Sequence, residues 1–120
     1  MMLFEQADPT YLRTYYEKRD LVERGHKYQL VPFVDDRWTP IIADYTRQVA
    51  EDYRPFDYGR FEFRLDREGG KVQFLEVNLN ANLWSEKVYG RSAKLAGLSQ
   101  AQLIETILCE SLDRHGLLAI

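Results

Sequence analysis

The sequence predicts an α+β fold, an antiparallel sheet with helices, and three observations carry that reading. Two strand patterns, "YGRFEFRLD" and "KVQFLEVN", flank a Gly69-Gly70 pair, the signature of a hairpin. Apolar residues recur at three- and four-residue steps after Pro40 and again after Ser99, the period of amphipathic helices. The 120 residues are 45% hydrophobic and 29% charged, which suits one globular domain over 1–120 with a modest core.

The elements follow in chain order. "TYLRTYYEKRDLVERGHKYQLVPF" is rich in aromatics and cations and has no sustained helical period. It predicts extended pieces, one strand over 12–18 and another over 27–31, with "DLVERG" between them as a turn. Pro40 suits the first turn of a helix and Thr39 its cap. Ile41, Ile42, Tyr45, Val49 and Tyr53 then mark one apolar face, and "RPFDYG" ends the helix. In the first hairpin strand Phe61, Phe63 and Leu65 alternate with Arg60, Glu62, Arg64 and Asp66. After Asn82 the spacing predicts a loop and a helix closed by Gly97. Ser99 caps a last helix whose apolar face holds Leu103, Ile104, Ile107, Leu108 and Leu112. The final "LLAI" either packs back on the domain or frays.

Several function classes are excluded on composition. A net charge of -3 gives no electrostatic footprint for nucleic acid or an anionic membrane. No apolar run approaches the ~18 residues of a spanning helix, and "MMLFEQADPT" lacks the pattern of a signal peptide. The single Cys109 excludes an internal disulfide. Together these predict a cytoplasmic protein.

The hairpin carries the chemistry. Folding it pairs Leu65 with Gln73, Phe63 with Leu75 and Phe61 with Val77, which leaves one face mostly apolar. The other face then sets Glu62 across from Glu76 and Arg60 across from Asn78. A slip of one residue would mix the two sets. Two carboxylates directly opposite repel, and a shared cation turns that repulsion into affinity. Glu62, Glu76 and the Asn78 carbonyl are hard oxygen donors of the kind Mg2+ takes when phosphates and water complete its octahedron. On the residues alone the alternative is a solvent-facing surface on which Arg60 and Arg64 neutralise the glutamates.

The order of motifs adds to this. "YGRFEFRLD", "GGKVQFLEVNLNANL", a helix ending "AKLAGLS" and then "QLIETIL" resemble the C-terminal part of ATP-grasp enzymes, the D-alanine–D-alanine ligase group above all. The pattern there is a Gly-Arg-x-Asp strand, a turn, Leu-Glu-x-Asn, an apolar loop and "AGxSxxxLIxxIL". Upstream, "YYEK" at Tyr15 to Lys18 is similar to the Tyr-x-x-Lys of that family. The resemblance covers nearly the whole chain and is strongest over 58–108. It implies that Glu62 (Asp in most relatives), Glu76 and Asn78 hold one or two Mg2+ or Mn2+ ions. It further implies that Arg60 is catalytic, beside the transferred phosphoryl group and the developing oxyanion, and that Lys18 approaches the phosphates of ATP. In such ligases ATP phosphorylates a small-molecule carboxylate and an amine attacks the acyl phosphate, giving an amide and ADP.

The chain departs from the pattern in three places. The family's Pro-Gly after Asn-x-x is Ala81-Asn82 here, and Lys87 stands where dipeptide-forming relatives carry a serine for the second substrate's carboxylate. D-alanine specificity is therefore not supported. The family's upstream substrate, adenine and phosphate-loop regions have no counterpart in these 120 residues. The expectation is a C-terminal piece (a gene fragment, an excised domain or half of a split enzyme) that is inactive alone. It would partner a separately encoded N-terminal part or further copies of itself, through aromatics such as Tyr15, Tyr16 and Phe33. A non-catalytic remnant, or a small interaction domain that oligomerises, are the alternatives. His26 and His115 lack ligand-like spacing, Cys109 reads as a buried thiol, and Trp38 and Trp84 read as core or as cleft lining.

Overall fold

The structure is a computed structural model that describes residues 1–6 and 28–119. It forms two compact units, Met1–Phe33 and Val34–Ile120. The mixed α/β fold with small antiparallel sheets agrees with the expectation in general terms. No helix among the described residues is long and apolar enough to cross a membrane.

In the first unit β1 (Met2–Gln6) pairs antiparallel with β2 (Tyr28–Pro32), from Met2 opposite Pro32 to Gln6 opposite Tyr28. The Phe33 N–H donates to the Met1 carbonyl at 3.1 Å, closing the ribbon by one further bond. β2 lies where the sequence places a strand, whereas β1 was not expected, because so short a run carries no decisive period. Phe33 is 6% exposed. The strand expected over 12–18, its turn, Tyr15, Tyr16, Lys18 and His26 lie outside the described residues.

The second unit opens with α1 (Trp38–Tyr53). Asp35, not Thr39, prepares its start. The Asp35 carboxylate accepts the N–H groups of Arg37 and Trp38, both at 2.9 Å. Thr39 already lies inside the helix, and its hydroxyl accepts the Asp35 N–H at 2.8 Å. An aspartate upstream meets free N–H groups of the first turn, which a residue within the helix cannot do as well. Pro40 falls in that turn as expected, where its missing N–H is not needed. Trp38, Ile42 and Ala50 are buried, while Tyr45 and Tyr53 are exposed. The buried stripe is thus rotated from the expected face. Arg54 is extended before Pro55 and ends the helix.

β3 (Arg60–Asp66) and β4 (Lys71–Asn78) form the hairpin. Asp66 accepts the Gly69 N–H at 2.8 Å, and Gly70 takes a positive φ of 67° in the four-residue loop. The open end has the expected register: Arg60 faces Asn78, Phe61 faces Val77 and Glu62 faces Glu76. Towards the turn the register differs. Phe63 pairs with Phe74, not Leu75, and Leu65 pairs with Val72, not Gln73. A bulge at Leu75 separates the two halves. It brings Phe74 onto the apolar face, where its ring meets Phe63 edge-on at 5.6 Å, and leaves Leu75 59% exposed.

α2 (Val88–Leu95) and α3 (Gln100–Arg114) pack on each other. Gly97, with a φ of 84°, closes α2: its N–H donates to the Lys94 carbonyl and the Leu98 N–H to that of Ala93, a Schellman closure. Ser99 and Gln102 then form a reciprocal capping box on α3. Leu103 is buried and Ile107 and Leu112 half-buried, but Ile104 and Leu108 are exposed, so the predicted apolar face is covered along one side only. Cys109 is accordingly half-buried, not enclosed. Leu117 is 70% exposed and does not pack back.

Candidate functional site on the polar face of the hairpin

Alternation in β3 and β4 sends Arg60, Glu62, Glu76 and Asn78 to one face at the open end of the hairpin. Arg60 Nη2 lies 2.6 Å from Glu62 Oε1 and 4.0 Å from Glu76 Oε1, so one guanidinium serves both carboxylates. Arg60 and Glu62 are about one third exposed or less at the side chain, and Glu76 is 61% exposed. The Arg60 Nε is buried and has no hydrogen-bond partner among the described residues. Four of the five predicted site residues are thus brought together; the fifth, Lys18, lies outside the described residues. Among the described residues no group of three or more His, Cys, Asp or Glu side chains gathers as metal ligands. The acidic part of the set is the Glu62–Glu76 pair alone, with the Asn78 amide beside it.

The amide run that follows β4 is built from local turns. Asn78 Oδ1 accepts the Asn80 N–H at 2.9 Å, and Asn82 Oδ1 accepts the Trp84 N–H at 2.9 Å. Both are Asx turns, in which a short amide stands in for a main-chain acceptor. Between them the Tyr58 hydroxyl reaches Asn80 Oδ1 at 3.2 Å and the Ala81 carbonyl at 3.3 Å. Ala81 is 3% exposed and anchors the loop. The Tyr58 ring meets Tyr89 of α2 edge-on at 5.6 Å. Burial raises the Tyr89 hydroxyl above the usual phenol range, with Tyr58 adding to that and a bond from the Gly59 backbone opposing it.

The loop is also held from α2. A Cβ on Gly90 would lie 2.6 Å from Ser85 Cα and 2.7 Å from the Trp84 carbonyl oxygen, so the helix touches the loop backbone there. Lys87 stands at the start of α2 with its Nζ 5.9 Å from the Trp84 ring centroid. Trp84 is 60% exposed, whereas Trp38 is buried under the Arg37 guanidinium, 4.4 Å from its ring. A shallow cleft of about 240 Å³, lined in part by Ser85, Glu86, Lys94 and Gln100, lies between this loop and the two helices, and none of the predicted site residues lines it.

Tyr58, Asn80 and Gly90 are the residues that sequence reasoning missed. The Asn78, Asn80, Asn82 spacing was a signal of successive turns. Nothing in the sequence announced that Tyr58 would reach over the strand end.

No family model matches the chain, and no solved structure is a significant match. A curated protein, D-alanine--D-alanine ligase of Pseudomonas fluorescens (strain Pf0-1), is 35% identical over 75 residues, which are 62% of this chain and 23% of that protein. The matched stretch therefore spans about a quarter of the relative's length. This partial homology points to a link with the ATP-grasp superfamily and does not assign the chain to a particular member.

Proposed function

We propose that this chain is a C-terminal, Mg2+-binding domain of an ATP-grasp ligase that acts in the cytoplasm. The reaction would join a small-molecule carboxylate to an amine through an acyl phosphate, with ADP released. The observation that carries the reading is the direct opposition of Glu62 and Glu76 on one face, with Arg60 and Asn78 in the adjacent row. The similarity to a ligase supports it from an independent side.

The donor set fits a divalent cation. Each carboxylate keeps an oxygen that Arg60 does not engage, and Asn78 Oδ1 keeps a lone pair beyond the one turned to Asn80. The orphaned Arg60 Nε suits an anionic oxygen beside that cation, since a buried donor without a partner is unfavourable. When bound, Mg2+ supplies neutralisation of phosphoryl charge. In this reading Glu62, Glu76 and Asn78 hold the metal, Arg60 meets the transferred group, and Lys18 meets the ATP phosphates.

Phosphoryl transfer depends on positioning, and the stretch of this chain that matches covers about a quarter of that ligase. We therefore take it to be inactive alone and to work with a separately encoded N-terminal part or in a homo-oligomer. The exposed Ile104, Leu108 and Trp84 favour association. A non-catalytic remnant or interaction domain is the second reading, favoured by the 2.6 Å Arg60–Glu62 pair, which neutralises one of the two carboxylates without any metal.

Manganese relaxation titration of wild type and Glu76→Gln separates the two. The wild type should bind Mn2+ weakly, because phosphate oxygens are missing from the shell, and the variant at least about tenfold more weakly. Equal binding by both proteins would remove the metal from this face.

A further inference from the structure

We propose that Tyr58 is a positioning residue for this face, acting through Asn80 on the Asn78 amide. The inference rests on the reading of Asn78 as a metal ligand. Asn78 is the last residue of β4 and faces Arg60, the first of β3. One step beyond that pair, ladder bonding has ended, yet Tyr58 and Asn80 continue the same register through side chains. The Tyr58 hydroxyl lies 3.2 Å from Asn80 Oδ1 and 3.3 Å from the Ala81 carbonyl, so its single proton is shared between the Asn80 side chain and the Ala81 main chain and restrains the turn at both. The Asn80 N–H, so held, donates to Asn78 Oδ1 at 2.9 Å.

That last bond selects an atom. A carboxamide presents an oxygen and an NH2 of nearly the same shape, and only the oxygen can accept an N–H or approach a cation. The Asn80 N–H therefore sets the flip state of the Asn78 amide and aims its remaining lone pair. Tyr89 meets the Tyr58 ring edge-on at 5.6 Å, and a Cβ on Gly59 would press on Leu79 Cδ2 at 3.0 Å. Ring packing and hydroxyl bonding are thus separable at Tyr58, because phenylalanine keeps the first and loses only the second.

The test uses the 120-residue chain, Mn2+ alone as probe, and the variants Tyr58→Phe, Asn80→Ala and their double. Tyr58→Phe should weaken Mn2+ binding about tenfold, the effect of removing an outer-shell partner, while the thermal midpoint moves by only a few degrees. Asn80→Ala should lose a similar factor, and the double variant no more than either, since both cut one path. Wild-type affinity in Tyr58→Phe, or additive losses in the double, would overturn the inference. If the wild type binds no Mn2+, the metal reading fails separately, and amide exchange at Asn80 decides this one. Faster exchange in Tyr58→Phe supports the held N–H, and unchanged exchange rejects it.

Discussion

Glu62 and Glu76 are register partners across the hairpin, and a single nitrogen of Arg60 lies 2.6 Å from one and 4.0 Å from the other. Like charges set opposite each other in a sheet oppose the fold, and a shared cation reverses the sign. Here the cation is a side chain of the same strand. A divalent ion and Arg60 would therefore act on the same two carboxylates.

Replacing Arg60 tests that relation. Arg60→Gln should lower stability by about 1 kcal/mol or less, since Glu76 is largely exposed and solvent screens the pair. Added Mg2+ should then raise the urea midpoint of the variant by more than it raises that of the wild type, because the freed carboxylates have lost their internal cation. An equal shift in both proteins would mean that the metal does not read this pair.

Two glycines should fail for different reasons. At Gly90 an added Cβ meets backbone atoms at 2.6 and 2.7 Å, so Gly90→Ala forces α2 and the Trp84–Ser85 backbone apart, at roughly 1–3 kcal/mol. At Gly97 there is nothing within 4 Å, but the φ of 84° disfavours alanine by roughly 1–2 kcal/mol. Denaturant melts should show both losses. Exchange spectra should show the loop around Trp84 disturbed only in Gly90→Ala, and an undisturbed loop there would contradict the close approach.

The capping box offers a smaller, cleaner effect. Ser99→Ala removes the acceptor of the Gln102 N–H and should lower stability by about 1 kcal/mol, whereas Ser99→Gly should lose only a few tenths. Indistinguishable melts for wild type and Ser99→Ala would show that the box adds nothing in this chain.

How far the sequence was legible follows from which forces are local. Ser99 as a cap, and Gly97 after "AKLA", are read within one helical turn, and both stand as expected. The register at the carboxylates was legible because Arg60, Phe61 and Glu62 alternate in step with Glu76, Val77 and Asn78. It failed towards the turn at the doublet Phe74-Leu75, two apolar residues in a row where strict alternation allows one. That break in phase is itself the mark of a bulge, and reading it would have paired Phe63 with Phe74. At Asp35 and Thr39 two residues of capping type competed, and helix geometry favoured the upstream one. Tyr58 was beyond reach, since its hydroxyl bonds to residues 22 and 23 positions away.

The last prediction concerns Asp57 and Arg114, which join the segment before β3 to the end of α3. Arg114 Nη2 and Nε lie 2.6 and 3.2 Å from Asp57 Oδ1. The hydrogen bond from Arg114 is the main cause holding the Asp57 carboxyl below its ordinary value of 3.8; desolvation opposes it, and the Ser111 hydroxyl and the charges of Arg114 and His115 add smaller contributions in the same direction as the bond. The native state therefore binds this proton less readily than the unfolded chain does. The resulting stabilisation is fully present above the unfolded value, near pH 4, and is lost as pH falls through the lower native value. In Arg114→Gln the Asp57 carboxyl should titrate closer to 3.8, and the loss of stability on acidification below about pH 4 should become shallower. The NMR titration of the Asp57 carboxyl carbon, with urea melts at stepped pH, measures both. Asp57 is well hydrated, so the effect is small and should shrink further in high salt. The same Asp57 titration in wild type and variant would mean that Arg114 does not hold this carboxylate in solution.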